Sequence, residues 1–450
     1  MEDSSDGKAL SALKCDIGAL LDTGRVSAYQ RWLVFLTALT IVFDGIDNQL
    51  LGVVIPTVMT EWGVARSAFS PVVSLGIAGM MVGGAIAGIA GDRIGRRNAL
   101  VASMAVFGAM TLAAANAGDI YALAAFRFLA GLGLGGAIPN AATLVAEYVP
   151  RAQRTMAVTI TIVCVPLGAM LAGLLGSQLL PMIGWRALFV AGGVVPLVAA
   201  VLLARLLPES PRFLARHPSR WPELVRLAAK LGHSVPPDAA FEDSTERTVT
   251  RAPLSSLFDA EFRRDTIALW MSFSSCLLAV YLGFSWLPTV LTGAGFTASV
   301  ASNGITAFNL GGVVGALVSG AVISRIGSRL AMLTMAMCAI AGAITLSLMT
   351  IALDALAPLM IMLTITGGLI NATQTTMYAL ATNVYPSAMR ATGVGTATAV
   401  GRASAILSGY AGPWALGLRG SASYFALIAA AMAVCLVALA SVKRHVARRG

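Results

Sequence analysis

A chain of 450 residues with 57% hydrophobic and 12% charged side chains, 46 glycines and a mean hydropathy of +0.80 cannot be a water-soluble globule. Its net charge of +10 does not point to nucleic acid, because no basic patch with interleaved aromatics stands on a soluble segment. The five cysteines (Cys15, Cys164, Cys276, Cys338, Cys435) are scattered singly, which implies neither a disulfide framework nor a metal site.

The opening 31 residues are polar and lack the apolar core of a cleavable signal. Twelve apolar runs follow, each long enough to cross about 30 Å of hydrocarbon as a helix. Their expected limits are 32–58, 70–91, 98–117, 119–148, 155–180, 186–207, 266–291, 300–323, 330–351, 356–385, 391–417 and 421–442. A polar insert, 208–265, divides them six and six, and residues 443–450 form a basic tail. The expected architecture is therefore an all-α membrane protein of two six-helix bundles, 32–207 and 266–442. Lysine and arginine set the orientation, since short loops rich in them stay cytoplasmic. One side carries 26, from Lys8, Lys14, Arg25 and Arg31 through ten between Arg205 and Arg264 to four in the tail; the other has Arg66, Arg186 and Arg419. Both termini and the insert are expected in the cytoplasm, with the surplus charge facing lipid headgroups.

The halves repeat. A shift of 232 residues lays "PTVMTEWG" on "PTVLTGAG" and runs ungapped through "GDRIGRR" onto "ISRIGSR", with 15 of 43 positions identical. A shift of 236 pairs Arg154 with Arg390. Two like halves form a shell whose midplane site can face either side in turn.

Four charges sit at bilayer depth: Asp44, Asp47, Arg127 and Arg402. Each costs at least about 2.5–3.5 kcal/mol on insertion scales and survives only in a protein interior or a wet cavity. At 1.5 Å per residue, Asp47 lies about 16 Å and Arg127 about 12 Å from the outer face, while Asp44 and Arg402 lie about 18 and 16 Å from the inner one. Each acid thus finds a base at its own height. Asp44 and Asp47 share a helix face, and two carboxylates so close in a low dielectric oppose each other's ionisation. One is expected to carry a proton while the other pairs with arginine; a fixed structural ion pair is the plain alternative. The three histidines lie in loops or the tail, so proton coupling would run on carboxylates, with Glu147 as a further candidate or gate contact. Arginine holds a carboxylate by two hydrogen bonds and keeps its charge; Arg402 is the preferred partner of a substrate carboxylate and Arg127 that of the aspartates, with the reverse open. In the tenth run Asn371, Gln374 and Tyr378 form a polar stripe that either glues helices or reads a ring hydroxyl. Phe43, Phe273, Tyr281, Trp286 and Phe308 are rings that could stack on an aromatic substrate or belong to the core. Glycine pairs four apart, such as Gly79 and Gly83, read most simply as close helix packing.

Several motifs resemble one family. "GIAGDRIGRR" (88–97) matches the signature loop of the major facilitator superfamily, "RFLAGLGLGGAIPNAATLVAEY" (127–148) is similar to its fourth-helix motif, and "LPESPRFL" occurs in several of its branches. "DGID" (44–47) with "GRASAIL" (401–407) and "DIGALLDTGRVSAYQ" resembles the aromatic acid:proton symporters, the 4-hydroxybenzoate and benzoate transporters among them. The resemblance implies a monomeric carrier of the bacterial inner membrane, without enzymatic activity or cofactor, that takes up a small aromatic carboxylate on a proton gradient by alternating access. It also implies a gating loop in which Asp92 reaches a helix N-terminus across the halves and Arg93, Arg96 and Arg97 pair with acids or phosphates, with Arg154 and Arg390 at the equivalent loops. Ser324 stands where the second copy would need Asp92, so a second latch is weak. A sugar or other organic-acid porter, or a drug:proton antiporter, is the alternative; the seventh run lacks the glutamine pair of the first and "VCVPLGAMLAG" departs from the glycine-proline motif of the last.

Overall fold

A segment in hydrocarbon must satisfy every backbone N–H and C=O internally, so long apolar runs become helices and the architecture follows from how these pack. The computed structural model describes residues 14–22, 26–236, 239–242, 253–351 and 355–445, apart from the side chains at 324, 387, 388 and 391. Lys8, Arg25 and the Ser324 side chain lie outside the described residues. Among the described residues, ten helices are long and apolar enough to span a membrane. One of these, Arg151–Leu206, is two spans merged across Gly184, whose φ of 73° breaks the helical path; a broken helix supplies the twelfth.

The spans are α1 (Ala28–Trp62), α2 (Ser70–Ile94), α3 (Arg96–Ala114), α4 (Ile120–Tyr148), α5 (151–183), α6 (185–206), α7 (Arg263–Gly293), α8 (Ala298–Ile326), α9 (Ser328–Leu348), α10 (Leu356–Val384), α11 (Ser387–Ile406 continued by Ser408–Arg419) and α12 (Ser421–Ser441). Helices α1 and α7 outrun their expected limits at both ends. The break in α11 comes at Leu407, which the sequence did not announce.

The insert is more than a link. Residues Lys14–Asp16 (β1) pair in parallel with Ala240–Glu242 (β2), and the helix Ile17–Asp22 follows directly. The amphipathic helix Trp221–Leu231 buries Leu224, Leu227 and Leu231, spaced three and four apart, in one cluster with Ile17, Leu21 and Tyr148. This small domain sits under the first half at its arginine-rich end.

The halves meet on the face away from the arginine-rich loops. There Gln49 Nε2 donates to Phe284 O at 2.5 Å, Ser74 Oγ to Ile406 O at 2.8 Å, Ser299 Oγ to Ser177 O at 2.8 Å and Thr306 Oγ1 to Met170 O at 3.4 Å. All four bonds lie in the halves of α1, α2, α5, α7, α8 and α11 remote from those loops, so this end is shut.

Close helix crossings explain the glycine pairs. A Cβ on Gly79 would stand 2.2 Å from Phe128 O, and α2 would have to leave α4; beside Gly88 there is open space. Gly79→Ala should therefore cost about 1–3 kcal/mol of stability, and Gly88→Ala nothing or a slight gain. Thermal unfolding of the two variants in detergent checks the contrast, and equal midpoints would refute it.

Candidate functional site

Helix α1 carries both aspartates fully buried, yet their surroundings differ. Asp47 Oδ1 faces Arg127 Nη2 at 3.3 Å and accepts the Thr111 hydroxyl. Arg127 also donates to Thr111 Oγ1 at 2.8 Å and to the Asp47 carbonyl at 3.4 Å, and its guanidinium lies 5.2 Å over the Phe189 ring. Four helices, α1, α3, α4 and α6, thus converge on one charge pair, each giving it a hydrogen bond, a counter-charge or a ring face. Removing either partner would strand a buried charge.

Asp44, one turn earlier, has no such clamp. Both of its carboxylate oxygens are buried without a hydrogen-bond partner. The cation in electrostatic reach is Arg402 of α11, outside ion-pair distance. Arg402 makes one weak bond, Nη1 to Met80 O at 3.4 Å, and is half-buried. Gly84 makes room for it: a Cβ there would stand 2.8 Å from Arg402 Nη1.

Arg402 borders a chamber of about 560 Å³ between the halves. Its walls come from the arginine-rich halves of α4, α5, α10 and α11 and from the middle of α2 and α7, so it opens away from the shut end. The wall from the first half is mostly apolar, with Met81, Ile138, Pro139, Ile162 and Val165; the facing wall presents Asn371, Gln374, Tyr378, Thr398 and Arg402. Thr398 Oγ1 itself donates to Val394 O at 2.8 Å. Asn48, Met80 and Tyr281 line both this chamber and a small pocket of about 30 Å³ that reaches Arg127, room for about one water. Neither aspartate lines the chamber itself.

Other candidates fall elsewhere. Trp286 is fully buried, donates Nε1 to Ser408 O at 3.0 Å and packs on Gly412; it joins α7 to α11 and cannot touch a ligand. Phe308 fills the core against Gly283, Gly367 and Phe284. Both expected ring contacts are thus replaced by core packing. Phe43 and Phe273 are also absent from the chamber wall, whose rings are Tyr281, Phe284 and, edge-on to Phe273, Tyr378. Glu147 lies beyond the chamber at the end of α4, where it accepts the Ser210 hydroxyl within reach of the Arg96, Arg212 and Arg216 charges. Asp92 does not cross to the other half: it is exposed and pairs with Arg96, one turn on. The helix N-terminus is served instead by Glu209, whose Oε1 accepts the Arg97 N–H of α3 and the Ser210 N–H, both at 2.9 Å. Arg97 also donates to Ala204 O. Gly95, at φ 101°, leaves the space Glu209 fills, since a Cβ there would lie 2.1 Å from Oε2. "GDRIGRR" and "LPESPRFL" are therefore two sides of one contact within the first half. Arg154 is 3.5 Å from Asp22, which also accepts the Arg151 N–H at the start of α5 at 2.9 Å. Arg93 and Arg390 are exposed.

Thr111, Gln49, Glu209 and Asp22 are the residues that sequence reasoning missed. Glu209 and Asp22 stood inside quoted motifs without a role; a threonine in an apolar run carries no signal of its own.

A fold of two six-helix bundles around a chamber with one apolar and one polar wall is that of a multi-pass membrane carrier. The sequence profile of the Major Facilitator Superfamily matches residues 37–409. The chain is 35% identical over 404 residues to a gallate transporter of Pseudomonas putida, covering 90% of this chain and 89% of that one. To the 4-hydroxybenzoate transporter PcaK of Acinetobacter baylyi it is 34% identical over 421 residues, covering 92% and 91%. The solved D-xylose-proton symporter shares the fold with a TM-score of 0.70 at 16% identity, over 92% of this chain and 97% of that one. The chain belongs to the Major Facilitator Superfamily, and within it groups with the aromatic acid transporters.

The Asp47 clamp makes one prediction. Thr111→Val removes the hydroxyl shared by the two charges and should cost about 1–3 kcal/mol of stability, read as a lowered thermal midpoint; an unchanged midpoint would show that the bridge is idle.

Proposed function

We propose that this protein is a secondary active symporter that brings a small aromatic carboxylate into the cytoplasm together with protons. The observation that carries the reading is a single loosely held guanidinium, Arg402, shared by the chamber and by the unpartnered Asp44. A substrate carboxylate arriving in the chamber would take Arg402 in a two-pronged bond. Asp44 would then face an anion without its compensating cation, and a buried lone charge is costly enough that the group binds a proton instead. Symport follows from two carboxylates competing for one cation. Arg127 is less available, being committed to Asp47, Thr111 and the Phe189 ring.

The chamber's contrasting walls suit an aromatic acid: a ring face can lie on Met81, Ile138 and Val165 while its polar edge meets Asn371, Gln374 and Tyr378. The named relatives carry gallate and 4-hydroxybenzoate, which supports hydroxylated rings as cargo. By the positive-inside rule, the arginine-rich loops support a chamber that opens to the cytoplasm, in the inner membrane of a bacterium. The halves would rock about the chamber, with substrate favouring whichever state binds it better.

Asp44→Asn should abolish accumulation of labelled 4-hydroxybenzoate against a gradient while leaving exchange across equal concentrations intact. Asp47→Asn should lose both accumulation and stability, since Arg127 would be left buried and unpaired, at about 3–5 kcal/mol. Accumulation by Asp44→Asn would overturn the proton assignment. Gly84→Ala, by displacing the Arg402 guanidinium, should raise KM by roughly tenfold or more; a KM equal to wild type would remove Arg402 from the binding step.

A further inference from the structure

A second cavity, about 530 Å³ and nearly as large as the chamber, lies on the shut side of the molecule, on the seam between the halves. Its floor on one side is the end of α1 with Arg66 from the turn that follows; on the other it is the last turn of α7 and the start of α8. Arg66 makes no hydrogen bond or ion pair with any described residue, and its Nε is buried without a partner. The acid nearest in sequence, Glu61, is already taken by Arg186 at 2.5 Å and by Trp185 Nε1 at 2.6 Å. Across the seam the Thr289 hydroxyl, on a residue 2% exposed, is likewise buried and unpartnered. Arg66 reaches over toward α7: its Nη2 would be 3.6 Å from a Cβ on Gly293. Pro56, Met59 and Val64 supply apolar wall beside these groups.

A free guanidinium, a free hydroxyl and an apolar wall around a cavity of this size fit an aromatic ring bearing a carboxylate. We infer that the cavity is a second, peripheral binding site for an aromatic carboxylate, with Arg66 as its anion contact and Thr289 as a hydrogen-bond donor. The choice of ligand rests on the function proposed above, because that substrate must approach this face before it enters. The walls belong to different halves, so the site exists only while this end is closed. An occupant ties the halves together there and opposes their parting, which makes external substrate at high concentration a brake on its own uptake. The plain alternative is that Arg66 merely answers the partial negative charge at the C-terminus of α7.

Site protection separates the two. Thr60 lines the cavity and is exposed, so Thr60→Cys in the purified full chain can be labelled with a maleimide and read by mass spectrometry at that residue. Benzoate should slow labelling by roughly tenfold once it is about ten times its own Kd, whereas the neutral isostere benzamide should not. Protection should persist when Arg402→Gln is added and vanish with Arg66→Gln. Absent protection, protection by benzamide, survival in Arg66→Gln, or loss in Arg402→Gln would each overturn the peripheral site. Uptake of labelled benzoate by the wild-type chain is measured in parallel: protection without uptake would sink the transport reading and leave the site standing, and uptake without protection would do the reverse.

Discussion

One guanidinium set between the chamber and a buried, unpartnered carboxylate is the constraint on which the proposed symport turns. Arg402 of α11 makes a single weak bond, across to Met80 O of α2, in the gap left by Gly84, with the chamber on one side and Asp44 in electrostatic reach on the other. Were it clamped as Arg127 is, it could answer neither anion. Were Asp44 hydrogen-bonded as Asp47 is, it would have no need of a proton. The proposed coupling rests on the asymmetry between two aspartates three residues apart: one joins four helices of its own half, and the other is left without a hydrogen bond.

The scaffold around this arrangement divides its labour. The four bonds that shut the end away from the arginine-rich loops each run from a side chain to a backbone carbonyl, individually worth about 0.5–1.5 kcal/mol. Contacts of that size close a gate that can be reopened. Within each half, by contrast, helices meet at glycines with backbone against backbone, as at Gly79 with Phe128 O and Gly311 with Thr364 O, which gives units rigid enough to rock as bodies. The small domain of β1, β2 and the insert helices adds to the first half, where Asp22 caps α5 and Glu209 caps α3.

Much of this was legible in the residues. Hydropathy and length found the spans, because a bilayer admits hardly anything but helices; the rise per residue was enough to set Arg127 at the height of Asp47. What stayed hidden has physical reasons. Rings in apolar runs look alike whether they face a chamber or a core, and so Trp286 and Phe308 were misplaced. Strands of three residues pairing across more than two hundred positions leave no periodic trace. The Thr111 bridge depends on how α3 is rotated, which a run of apolar residues does not encode. The broken α11 carries no proline at the break, and Asp92 was read by its motif although its neighbour Arg96 stands at the ideal helical distance to claim it.

The competition for Arg402 can be watched directly by infrared difference spectroscopy of the purified protein as an aromatic carboxylate binds. Binding should raise a carbonyl band of a newly protonated carboxyl group that disappears in Asp44→Asn and survives in Asp47→Asn. A band untouched by Asp44→Asn, or one lost only with Asp47→Asn, would contradict that competition.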